Sequence, residues 1–208
     1  MCSLSSGTFL VYAMKMDAPD LDPRIRRTRQ LLYGAFRELL AEKNFEEITV
    51  QDIAERSTVN RATFYDHFPD KFALLEEMVS DDFQAMLRVR MAGSNGTCPE
   101  SIKRLIHTVC DFFAELGSHC QEHQRQFAPL SESKIQTLVR NFLLKGLIIS
   151  AGNSSPEDLA MRATVASGAI CGAALEWSRT KKPNAEDFAE AVFSLIAFTL
   201  KLGSTVEV

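Results

Sequence analysis

The chain of 208 residues lacks any hydrophobic run of spanning length. Its most apolar stretches, around residues 9–14, 168–175 and 191–200, fall well short of the roughly 20 residues a membrane helix needs. It has no CxxC pair. Its five cysteines (Cys2, Cys98, Cys110, Cys120 and Cys171) are odd in number and scattered, which reads as reduced thiols in a cytoplasmic protein rather than a disulfide framework. No Lys or Arg precedes the apolar patch at residues 9–12, so a secretory leader would lack its basic start. There is no GxSxG, phosphate-binding loop, HExxH or GxGxxG, and Ser, His and Asp stand at no informative spacing, so no enzyme and no cofactor is expected. His119 and His123 are four apart, but Cys120 and Glu122 point elsewhere on a helix, so no metal is expected either. Sustained strand alternation and internal repeats are also missing.

What remains is ordinary globular composition: 46% hydrophobic, 24% charged, net charge −4. That excludes disorder for the bulk of the chain. The charge is unevenly spread. Residues 24–71 carry 9 basic against 8 acidic side chains and are the least acidic part, opening with Arg24, Arg26, Arg27 and Arg29. An acidic protein with such a local patch is still able to bind nucleic acid.

Glycine and proline fall between periodic segments, and the pattern is helix after helix. Residues 1–22 read as an arm or an over-long start. A first helix over 23–42 has Pro23 at its start and a stripe of Leu32, Phe36, Leu39 and Leu40. Thr49 and Asn60 are good caps for two short helices, the second over 61–67, and Asp70 caps a fourth helix reaching about 91. The glycine-rich stretch 93–97 is the clearest linker. Pro99 starts a fifth helix, Pro129 is expected to break the chain, and another helix covers about 132–150. Ser155-Pro156-Glu157-Asp158 is a strong helix start, and the last helix opens at Asn184.

The stretch 49–68, TVQDIAERSTVNRATFYDHF, has helix-turn-helix spacing: two helices of about seven residues joined by a short turn. Ile53, Ala54 and Val59 supply the apolar contacts such a pair needs. The second helix then presents Arg61, Thr63 and Tyr65 near its N-terminus, the end that meets base edges in the major groove. Arg pairs with guanine, Thr meets a thymine methyl, and Asn60 suits a phosphate or base.

Ile48-Thr49-Val50, Asp52-Ile53-Ala54, the run Val59-Asn60-Arg61-Ala62-Thr63-Phe64-Tyr65-Asp66-His67-Phe68, and Lys71 together resemble the TetR family of bacterial transcriptional regulators over about residues 24–78. The resemblance implies an all-α protein of about nine helices. Residues 23–71 would be its helix-turn-helix DNA-binding domain and residues 72–208 its effector-binding and dimerisation domain. By position it implies DNA contacts from Thr49, Asn60, Arg61, Ala62, Thr63, Tyr65, His67 and Lys71, with Phe64 and Phe68 in the core. Arg26 and Arg27 are candidates for an arm reaching the backbone or minor groove. The family often has glycine in the turn where this chain has Thr58. A β-branched residue is costly at positive φ, so the turn is expected to differ slightly.

In the C-terminal part, Leu159, Ala163, Ala166, Ile170, Ala173, Ala174 and Trp177 form one stripe. Phe188, Val192, Leu195, Ile196, Thr199 and Leu202 form another. Two such helices either complete an intramolecular core or pair with a symmetry mate as a four-helix bundle. The resemblance favours the homodimer, with Ala163, Ala166, Ile170, Trp177, Val192, Leu195 and Thr199 as interface candidates. An apolar pocket for a hydrophobic or aromatic small molecule has His107, Cys110, Phe113, Phe142, Leu143 and Trp177 as candidates, with Trp177 equally a core residue. The implied function is a regulator, most often a repressor, released from a palindromic double-stranded operator by its effector, with the fourth helix transmitting the change. Two other readings stay open: a small-molecule-sequestering protein with a disused helix-turn-helix, and a helical protein-interaction module.

Overall fold

The computed structural model describes residues 22–94, 98–119, 124–150 and 154–200, and their side chains outside 117–131. The arm at residues 1–21 and residues 120–123 lie outside that description. Eight α-helices and one 3-10 turn account for the regular structure of the described residues, close to the nine or so helices the sequence suggests. The chain divides into two compact units between Val79 and Ser80, inside a helix.

In the first unit, α1 spans Pro23–Glu42. Asp22 starts it: its carboxylate accepts from the Arg24 N–H at 2.9 Å, with Pro23 at the first helical position. Its inner face buries Leu32, Phe36 and Leu39. A 3-10 turn, Phe45–Glu47, follows, and its Phe45 ring meets Phe36 edge-on with centroids 6.0 Å apart. α2 is Val50–Ser57 and α3 is Arg61–His67. Phe64 and Phe68, fully buried and 6.0 Å apart, anchor α3 to this core, and Tyr33 of α1 packs on Phe68. α4, Lys71–Arg90, starts where the Asp70 carboxylate accepts from the Ala73 N–H at 2.8 Å.

The second unit contains the rest of α4 and the helices α5 (Pro99–His119), α6 (Gln124–Ile149), α7 (Pro156–Thr180) and α8 (Ala185–Leu200). Gly93 and Ser94, the described part of the stretch 93–97, follow α4 in this unit. Pro129 does not break the chain, because α6 runs through it. A proline little more than a turn from a helix start removes one backbone donor, too little to end a long helix. α7 is the centre of the bundle and packs against α5, α6 and α8. Its small residues make that possible: Ala163, Ala166 and Ala174 are fully buried, and a Cβ on Gly168 would stand 3.4 Å from the Gln136 amide of α6. Gly172, at GxxxG spacing from it, faces outward with no neighbour within 4 Å.

Candidate nucleic-acid interface

α2 is locked by a reciprocal cap. The Thr49 hydroxyl accepts from the Asp52 N–H at 3.1 Å while the Asp52 carboxylate accepts from the Thr49 N–H at 2.7 Å. Lys43 adds an ion pair to Asp52 at 2.9 Å. The Thr49 N–H, then Lys43 and the Thr49 hydroxyl, hold the Asp52 carboxyl down to about 2. Arg56 grips Glu42 through two bonds, at 2.7 and 2.8 Å, and reaches Glu38 at 3.3 Å, which fastens α2 to α1. These charges line a surface cleft of about 480 Å³ between Leu39, Glu42, Lys43, Asp52, Glu55 and Arg56. Its cations are already matched with carboxylates.

The turn into α3 uses Thr58 at φ 56°, ψ 24°, in the left-handed region. The tight turn is thus retained, against the expectation of a modified one. The Val59 N–H reaches back to the Ala54 carbonyl at 3.1 Å, and the surrounding contacts hold a β-branched residue in a strained conformation. Asn60 then caps α3, accepting from the Ala62 N–H at 2.8 Å.

α3 buries Phe64 and exposes Asn60, Arg61, Ala62, Tyr65 and Asp66, with Thr63 half-buried. Arg61 and Tyr65, one turn apart, are joined. The guanidinium donates to the phenol oxygen at 3.3 Å and lies 5.6 Å from the ring centroid. His67 is half-buried against Phe68. Arg26 and Arg27 are exposed near the start of α1. Arg29 is not: it stacks on Phe68 at 5.0 Å and approaches Glu77 at 3.8 Å.

Two expected contacts are otherwise engaged. The Lys71 ammonium donates to the carbonyls of Phe45, Glu46 and Ile48 at 2.8, 3.1 and 2.8 Å, and sits 4.4 Å from the Phe45 ring centroid. All three of its N–H bonds are occupied, so this lysine is a clamp on the 3-10 turn rather than a phosphate ligand. Burial pushes its ammonium below the usual lysine range. The Thr49 hydroxyl donates its proton to Asp52 at 2.8 Å, which leaves only lone pairs for anything beyond the cap.

In the second unit, the stripe named as an interface lies mostly inside. Ala163, Ala166 and Ile170 are fully buried, and Val192 and Trp177 nearly so. Of that set only Leu195 is exposed, with Thr199 half-buried. Trp177 donates to the Pro183 carbonyl at 2.8 Å and packs on Phe188, so it pins the turn between α7 and α8. The outward face is a different one: Met161, Val165, Ala169 and Gly172 on α7, and Ala191, Leu195 and Phe198 on α8. Leu195 is 80% and Phe198 87% exposed. Their i, i+4 and i, i+3 spacing was available in the sequence, but the α7 helix is apolar on two sides and the more continuous stripe turned out to face its own bundle. Of the pocket candidates, Cys110, Phe113 and Leu143 are core, while His107 and Phe142 are half-buried. Burial pushes the Cys110 and Cys171 thiols up to about 12, so both are inert packing residues. Among the described residues no three His, Cys, Asp or Glu side chains converge to hold a metal, and no helix is long and apolar enough to cross a membrane.

α2 and α3 form a helix-turn-helix in the first unit, and the second unit is a separate bundle of helices. Residues 32–78 match the family described as bacterial regulatory proteins, tetR family. That match takes in α2, α3 and the parts of α1 and α4 that pack on them, 47 of the 208 residues. Over 60 residues it is 47% identical to an uncharacterized HTH-type transcriptional regulator, YxbF, of Bacillus subtilis, covering 28% of this chain and 16% of that one. Over 75 residues it is 37% identical to the HTH-type transcriptional regulator TcmR of Streptomyces glaucescens, covering 35% and 33%. The matched region is thus a third or less of those relatives' length. The structure of Thermus thermophilus FadR, a TetR-family repressor in complex with lauroyl-CoA, superposes with a TM-score of 0.59 at 18% identity, over 86% of this chain and 98% of that one. RolR in complex with resorcinol superposes at 0.56 and 17%, over 88% and 95%.

Proposed function

We propose that the protein is a homodimeric transcriptional regulator. Its two α3 helices read the halves of a palindromic operator, and a small apolar molecule bound in the α5–α8 unit weakens that binding. The observation that carries the reading is the exposed face of α3, where Asn60, Arg61, Ala62 and Tyr65 stand together on a helix anchored by Phe64 and Phe68. Arg26 and Arg27 supply backbone contacts from α1. The exposed apolar face of α7 and α8 supports pairing with a second copy, since a soluble monomer rarely leaves side chains such as Leu195 and Phe198 in water on one contiguous face.

Two recognition helices in such a dimer sit about one turn of DNA apart, roughly 34–36 Å. An effector that prefers a different spacing lowers operator affinity, and the operator lowers effector affinity by the same factor. α4 contributes residues to both units and is the element through which we route the coupling. The names of RolR and FadR tie those proteins to resorcinol and lauroyl-CoA. That supports a small-molecule ligand here without naming it.

The test is selection from a random duplex pool, followed by anisotropy titration of the winner at several salt concentrations. A palindromic winner, affinity falling steeply with salt, and binding at least tenfold weaker in Arg61→Ala and Tyr65→Ala are expected. A protein that enriches no sequence is a ligand binder with a disused helix-turn-helix.

A further inference from the structure

We infer that Arg61 and Tyr65 work as one reading unit, in which Tyr65 aims the Arg61 fork at a guanine in each half-site while tied to the neighbouring phosphate. The inference rests on the DNA-binding reading above and adds what sets the reader's aim.

The described arginines meet several kinds of partner, among them the Thr164 hydroxyl, to which Arg140 donates at 2.9 Å. Arg29, Arg56, Arg90, Arg162 and Arg179 each hold a carboxylate: Glu77, Glu42, Asp111, Asp158 and Glu176. Those pairings neutralise the guanidinium and fix it to the fold. Arg61 is different. It sits on a neutral aromatic partner, the Tyr65 ring, and donates one N–H to the phenol oxygen at 3.3 Å. An aromatic partner of this kind holds the side chain without cancelling its charge. It also occupies one N–H of five and leaves the rest of the fork for an acceptor pair. Guanine presents such a pair, O6 and N7, in the major groove.

Tyr65 is itself held. Its ring meets the buried Phe64 ring edge-on, with centroids 5.5 Å apart, while nearly half of its surface is open. Because its oxygen accepts from Arg61, its own proton remains to donate to a phosphate oxygen. A phosphate, the phenol, the guanidinium and the base edge then form one chain of hydrogen bonds. A side chain already fixed before contact loses less freedom on binding, which is what makes a single arginine selective.

The experiment uses the full chain and the duplex enriched from a random pool, with every base pair of one half-site substituted in turn. Affinities are read by anisotropy for wild type, Arg61→Ala, Tyr65→Phe and the double variant. Both residues are solvent-facing, and thermal melts confirm that each variant is folded. Arg61→Ala should remove roughly ten- to hundredfold discrimination at one G·C pair per half-site. Tyr65→Phe keeps the ring and should lose several-fold of the discrimination at that same pair, with no further loss of it in the Arg61→Ala background. A Tyr65→Phe protein that weakens on all duplexes alike, with discrimination intact, overturns the inference, because tyrosine is then a phosphate contact alone. Enrichment of a sequence with no G·C pair dependent on Arg61 overturns it too, while leaving the DNA-binding reading standing. Enrichment of nothing overturns both.

Discussion

Thr58 shows how one residue carries a cost for the sake of a turn. At φ 56° a β-branched side chain crowds its own backbone, at a cost of roughly 1–2 kcal/mol. Glycine at this position removes the crowding but loses more freedom on folding, about 0.5–1 kcal/mol. Thr58 is exposed, so no packing is forfeited. Thr58→Gly is therefore expected to raise stability by up to about 1 kcal/mol, read as a higher melting temperature, with the operator still bound. A lower melting temperature would mean that the threonine side chain contributes something the backbone geometry does not reveal.

Asp52 supplies the second residue-scale prediction. Its carboxyl titrates near 2 when folded, against 3.8 for a free side chain. A lowered folded value stabilises the protein above the unfolded value and stops doing so as the pH falls through the folded one. The contribution is whole above about pH 4 and gone near pH 2. Wild type should therefore melt above Asp52→Asn at pH 5 and lose that advantage stepwise down to pH 2. A gap that stays constant over this range would show that the cap and the Lys43 pair do not depend on the charge.

At the scale of the element, the proposed dimer would rest on α7 and α8. α7 has a buried side of Ala163, Ala166 and Ile170 and an exposed side of Met161, Val165 and Gly172, and α8 adds Leu195 and Phe198. The double change Leu195→Glu with Phe198→Glu places two charges on side chains that are 80% and 87% exposed, so the bundle itself should keep its helical content. Sedimentation should show a monomer at micromolar concentration, and affinity for a palindromic duplex should fall at least tenfold. A dimer that survives both charges would place the contact on another face. Trp177, by contrast, belongs to the joint between the two helices, so changing it tests folding rather than pairing.

Over the whole molecule, what could be read in advance was what is local. Thr49, Asn60, Asp70 and Ser155 cap helices as their side chains and neighbours dictate, because a cap is settled within three or four residues. The α3 face was legible for the same reason, as its spacing and chemistry lie in one short run. What depended on distant parts of the chain was not. The Lys71 clamp joins positions more than twenty apart, so a matching motif position suggested a phosphate ligand where the fold has an internal one. The outward side of α7 could not be told from its inward side, because a central helix in a bundle is apolar on both. The unbroken α6 shows that one proline near a start does not outweigh a long periodic run.

The Lys71 cage also restricts what chemistry that position tolerates. Three carbonyl oxygens converge on one point, and a lysine ammonium meets them as a tripod on a flexible stem. Arginine carries the same charge but spreads its donors over a flat fork that is too wide to enter such a point. The exchange between these two residues, usually the mildest available to a cation, would here trade a fitted key for one cut to another lock.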